Sequence, residues 1–138
     1  MMALHDATSL FIPAWVNLLA ILVSPVIAVV VSTYLQDRNE RKKAKKLLLE
    51  IMISTRHNIA NEQTVRAMNT IDLYYASDKT VRLLWSEYYA MLNNDGYNNE
   101  NGNKLRSEKH MELIQAMAKA VGISNINILD ISRVYYPV

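Results

Sequence analysis

Residues 10–35 read LFIPAWVNLLAILVSPVIAVVVSTYL, and only the Tyr34 phenol among them can ionise. No other feature of the chain limits its fold as strongly. A helix rises about 1.5 Å per residue, so the run is long enough to cross a hydrocarbon core of roughly 30 Å. Trp15 and Tyr34 stand near its two ends, where amphipathic rings settle at membrane interfaces. Pro13 fits the first helical turn, where its missing N–H costs nothing. Two other readings compete. A cleaved signal peptide calls for a positive n-region, a shorter run and a small-residue cleavage site. Here the start offers His5 and Asp6 but neither Lys nor Arg. A buried core helix is rarely apolar all round over this length in a chain of 138 residues. The spanning reading is the one carried forward.

Inside the run, Ala20, Ser24, Ala28 and Ser32 recur every fourth position, and Asn17 falls on nearly the same face. Such a row lets helix backbones approach closely, and an Asn in hydrocarbon prefers a partner. An unpaired amide there costs on the order of a few kcal/mol. The expectation is self-association within the membrane. The alternative is an Asn17 hydrated at the interface, with Ala and Ser simply tolerated. Pro25 removes one i to i−4 hydrogen bond in mid-run, which favours a kink.

The run gives way to QDRNERKKAKK, with Arg38, Arg41, Lys42, Lys43, Lys45 and Lys46. Positive flanks stay on the cytoplasmic side, so the short N-terminus is expected outside and the larger C-terminal part inside. The same cations suit anionic lipid headgroups, each adding roughly 1 kcal/mol near a charged surface. A bare topology signal is the other reading. Net charge is only +2, so the cluster means more than the total. No aromatic interleaving accompanies it, and nucleic acid is not an expected partner. The expected organisation is two parts. Residues 1–36 form an extracytoplasmic N-terminus and transmembrane helix, and 37–138 form the collar and a cytoplasmic helical domain.

Three Gly and three Pro in the whole chain favour an all-α fold. The first helix is expected to continue past the collar, with Leu47, Leu48, Ile51 and the Thr55 methyl on one face. Asn61 caps a second helix over about 62–75, burying Val65, Met68, Ile71, Leu73 and Tyr75. Ser77 caps a third over about 78–92, with Val81, Leu84, Trp85, Tyr88 and Leu92 on one face. NNDGYNNENGN, at 93–103, reads as a loop. A fourth helix over about 104–121 carries Met111, Ile114, Met117, Ala118 and Val121, and Gly122 stops it. The tail reads as an extended segment packed back on the bundle, with a short strand or helical turn as alternatives.

Chemistry is sparse. With no cysteine, a disulfide, a thiolate metal site and a Cys nucleophile are excluded. His5, His57 and His110 are far apart, with no metal-binding spacing. No phosphate loop, nucleophile elbow or dinucleotide fingerprint occurs. The expectation is a non-enzyme without metal, cofactor or small-molecule substrate. One constellation stands out. Asp72 lies between apolar neighbours near Asn69, and Arg56 is its natural bidentate partner if it is buried. That pair either docks the first two helices or acts as a latch. Trp85 and its neighbouring tyrosines read as core before ligand platform.

Several elements together carry a resemblance. They are Met52-Ile53-Ser54-Thr55-Arg56, Ala67-Met68-Asn69-Thr70-Ile71-Asp72, Trp85-Ser86-Glu87-Tyr88 and Tyr135-Tyr136-Pro137, behind a span and a basic collar. The chain resembles an uncharacterised family of small bacterial and prophage membrane proteins, a domain of unknown function, along nearly its whole length. The resemblance implies the bacterial inner membrane and a part in defence against competing phage. The resulting expectation is a homo-oligomeric effector that permeabilises the membrane when a phage protein triggers it. The rival is a membrane-tethered adaptor that recruits a partner through its bundle.

Overall fold

The computed structural model describes residues 13–133. The described part is helical, with no strand in it. Two compact units divide the chain, 1–38 and 39–138.

Helix α1, Ala14–Ser54, supplies the first unit and runs into the second. It continues through Pro25, where the carbonyl four residues back lacks its usual donor. Its apolar part is long enough to cross a membrane, and none of that window is buried. Among the described residues, this window is therefore not part of the core of the chain itself.

The second unit gathers the end of α1 with α2 (Glu62–Tyr74), α3 (Lys79–Leu92), α4 (Glu100–Ala120) and the short α5 (Ile128–Ser132). One core joins them. Leu49 and Met52 of α1 meet Ile71 and Tyr75 beside α2, Tyr88 of α3, and Leu113, Ile114 and Met117 of α4. The α3–α4 pair makes the most extensive contact. On α1 the buried stripe is Leu48, Leu49 and Met52, whereas Leu47 is exposed. The expected stripe was turned by about one residue. On α2, Met68, Ile71 and Tyr75 are buried as expected, but Val65 and Leu73 face out, Leu73 being 71% exposed. Thr64 and Ala67 take their places, because small side chains let α2 lie close to the core.

Caps define the helix ends. Asn61 Oδ1 accepts from Gln63 N–H at 2.8 Å and starts α2. Ser77 does not cap α3. Asp78 holds that position, and its carboxylate makes no cap bond because it is engaged by Lys45 at 2.5 Å. The 93–103 loop is shorter than expected, since a 3₁₀ turn (Asp95–Tyr97) and the first turn of α4 occupy much of it. Asn99 caps α4 by accepting from Gly102 N–H at 2.8 Å. Gly122 ends α4 with φ +89°. Its N–H donates to Lys119 O at 3.0 Å and that of Ile123 donates to Ala118 O at 2.9 Å. That is a Schellman closure, which needs the left-handed residue glycine supplies. In the tail, 128–132 is helical rather than extended. The Tyr135-Tyr136-Pro137 element lies outside the described residues.

Candidate functional sites on the span and the bundle

On α1, Asn17, Ala20, Ser24, Ala28 and Ser32 fall within an arc of about 120° at 100° per residue. All five are exposed, as are the aliphatic residues from Leu18 to Leu35, while Val16 is half-buried. Ser24 Oγ donates to Ala20 O at 2.6 Å, so its proton is used within its own helix. Thr33, on another face, does the same with Val29 O at 2.9 Å. Asn17 and Ser32 keep their donors free of hydrogen bonds among the described residues, whereas Ser24 offers only an accepting oxygen.

The collar is not uniform. Arg38, Arg41, Lys42, Lys43 and Lys46 are exposed. Lys45 is not free to meet lipid. Its Nζ bonds Asp78 at 2.5 Å and lies 5.1 Å from the Tyr75 ring centre. Tyr75 Oη in turn donates to Lys45 O at 2.9 Å. Burial pushes the Tyr75 phenol up from its ordinary value, and the Asp78 carboxylate adds to it. Lys45 is thus corrected from a headgroup residue to the clamp between α1 and the α2–α3 turn. Sequence could not show this, because its partner is remote along the chain.

The expected Arg56–Asp72 pair does not form. Asp72 is 63% exposed at its side chain, so it had no need of a buried countercharge. Trp85 Nε1–H donates to Asp72 Oδ2 at 3.2 Å, and Arg82 Nε stands 3.7 Å from Oδ1. Asn69, Asp72 and Trp85 do come together, with Arg82, Ser86 and Tyr89, around a surface groove of about 370 Å³. The Trp85 and Tyr89 rings meet edge-on there at 5.6 Å. Arg56 sits elsewhere. Its Nη1 donates to Ile53 O at 2.5 Å, at the end of α1, and its Nη2 donates to Arg133 O. It ties the end of α1 to the segment after α5. Arg56→Ala is expected to cost about 2 kcal/mol, as lost charged hydrogen bonds do. Hydrogen exchange should rise first at α5, and α5 protection unchanged from the native chain would refute the tie. Asp72→Asn, at an exposed pair, should stay within about 0.5 kcal/mol.

Sequence reading passed over His110. It is 1% exposed, and its Nδ1 lies 2.9 Å from Tyr88 Oη, while Nε2 has no hydrogen-bond partner among the described residues. The rings cross edge-to-face at 5.2 Å. Burial lowers the imidazole to about 4 and pushes the Tyr88 phenol up to about 12. The pair is neutral, polar and sealed between α3 and α4. Its only sequence signal was spacing, since His110 stands one turn before Ile114 on the buried face of α4.

Residues 5–138 match the family model described as a family of unknown function, DUF6680. No curated protein and no solved structure matches the chain.

Proposed function

We propose that this chain, which belongs to the DUF6680 family of unknown function, is an oligomerising single-pass effector of the bacterial inner membrane. In this reading the N-terminus lies outside, the bundle lies in the cytoplasm, and assembly through the span permeabilises the membrane. A phage protein recognised by the bundle is the proposed trigger, and the setting is antiphage defence. One span encloses no pore, so the mechanism requires several copies.

The observation that carries the reading is the arc of Asn17, Ala20, Ser24, Ala28 and Ser32 along the apolar part of α1, none of whose spanning window is buried. Small residues permit close backbone approach, and the Asn17 amide gains a partner only from another helix or from water. The exposed cations Arg38, Arg41, Lys42, Lys43 and Lys46 support the orientation. Defence rests on the family resemblance alone.

Asn17→Leu combined with Ser24→Leu and Ala28→Leu fills the arc while keeping the segment apolar. Insertion is expected to persist, and dye entry into expressing, phage-challenged cells is expected to fall by about tenfold or more, the loss of roughly 1.4 kcal/mol in assembly. Undiminished entry with normal insertion would remove the assembly face.

The α2–α3 groove around Asp72, Trp85 and Tyr89 favours a second reading, a tethered adaptor. Replacing the span with an unrelated single-pass anchor distinguishes the two. An adaptor survives the exchange, and a permeabilising assembly does not.

A further inference from the structure

A second groove lies at the opposite side of α3, between the start of that helix and the last turns of α4, with a volume of about 550 Å³. Its floor is apolar, from Val81, Leu84, Ala116 and Ala120. Four charged side chains line it, and they differ in one respect. Asp78 is bonded by Lys45, and Glu112 is bonded at 2.8 Å by Lys109, which it shares with Glu87 at 3.0 Å. Lys79 and Lys119 make no ion pair among the described residues, and both are exposed. With these partners counted, four lysines stand against three carboxylates, so the charge around the groove is net positive over an apolar base.

Its place in the bundle adds a second constraint. The Lys45–Asp78 bond fixes the start of α3 against the collar part of α1, and Lys79 is the next residue. On α1, Arg41 and Lys42 lie one turn before Lys45 on the same side and are exposed. Lys79 thus lies beside the cationic strip of the collar, and Lys119 lines the same groove from α4.

We propose that this groove is a docking surface for anionic phospholipid, with the headgroup phosphate at Lys79 and Lys119 and the glycerol and ester carbons over the apolar floor. Charge complementarity selects the occupant. A phosphate needs point cations, which lysine supplies, and the carbons need cover that a purely cationic strip does not give. Lipid contact would hold one end of the bundle at the bilayer surface. The inference rests on the membrane-spanning reading, though not on permeabilisation.

The full chain has no native cysteine, so Leu83→Cys gives a single label beside the groove and Asn94→Cys a control at the far end of α3. Each labelled chain is reconstituted in vesicles of phosphatidylcholine, or of phosphatidylcholine with phosphatidylglycerol, and quenched by headgroup spin-labelled lipid. Carbonate extraction first establishes insertion, so a failed anchor is told apart from a failed dock. The Leu83 label is expected to be quenched more strongly with phosphatidylglycerol, and the Asn94 label equally in both. Lys79→Gln with Lys119→Gln should lower the docked-to-undocked ratio by roughly 30-fold, about fivefold per lysine. Thermal stability should hardly change, because neither lysine is paired. Equal quenching of Leu83 in the two membranes, or quenching indifferent to the double substitution, would overturn the proposal. So would abolition of the quenching by millimolar inorganic phosphate at constant ionic strength, which would assign the groove to soluble phosphate.

Discussion

Acidification from pH 7 to pH 4 is expected to remove about 3 kcal/mol of bundle stability through His110 alone. The imidazole titrates near 6.5 in the unfolded chain and near 4 in the buried site. Its folded value is depressed, so below about 6.5 the unfolded chain takes up a proton that the folded bundle refuses. Stability therefore falls as pH drops through the window from about 6.5 to about 4 and levels off beneath it. Against a typical total of about 5–15 kcal/mol, that loss is large. The cause is local. Protonation would place a charge beside Tyr88 with one ring nitrogen lacking any acceptor, between α3 and α4. Thermal melts of the detergent-solubilised chain across this range should show the decline. His110→Leu should flatten it across that window. An acid limb as steep in the variant as in the native chain would place the titrating group elsewhere. His57, the other described histidine, is exposed and serves as the comparison through His57→Gln.

Gly102→Ala is expected to destabilise the bundle by about 3 kcal/mol, against the usual sign of that change in a helix. In an exposed helix, Ala in place of Gly gains about 1 kcal/mol. Gly102 is buried in the first turn of α4, and a Cβ there would overlap the backbone of Tyr97 at its Cα, carbon and oxygen. Backbone cannot rotate aside as a long side chain can, so either the 3₁₀ turn or the start of α4 must shift. That shift would also disturb Arg106, whose Nε donates to Met91 O at 3.1 Å and whose Nη2 donates to Asn94 O at 3.3 Å. Chemical denaturation checks the magnitude. A midpoint equal to or above that of the native chain would mean that the close approach relaxes without cost. Gly96→Ala is the milder comparison, since its Cβ would meet only the Asn94 side-chain oxygen at 3.0 Å.

Much of the architecture was legible because it rests on local rules. An apolar run of that length, a cationic flank, Asn61 as a cap and Gly122 as a stop each act within a few residues of the chain. Helix existence followed, and ends moved by a few residues except at the start of α4. Gly102 shows why that end was misread. Its glycine looked like loop punctuation, but it serves close backbone approach to Tyr97 inside a capped helix. Burial was read less well where two faces competed. Leu47, Val65 and Leu73 are apolar yet face out: Leu47 and Val65 each stand one residue beside a buried stripe, and Leu73 lies on the far side of α2 from Thr64, Met68 and Ile71.

Of the expected bundle constellation, Asn69, Asp72 and Trp85 do share a groove, while Arg56 belongs to another contact. The sequence by itself determined one helix able to cross a membrane, the polar row along it, the collar behind it and a helical domain after it. The tertiary structure alone decided which polar side chains are engaged, and by what. Lys45 meets Asp78, Arg56 meets Arg133, and His110 meets Tyr88, each across a sequence distance that no local pattern encodes. The reason is physical. A helix or a cap is fixed by neighbours along the chain, whereas the partner of a long polar side chain is fixed by which surfaces the core brings within about 3 Å of it.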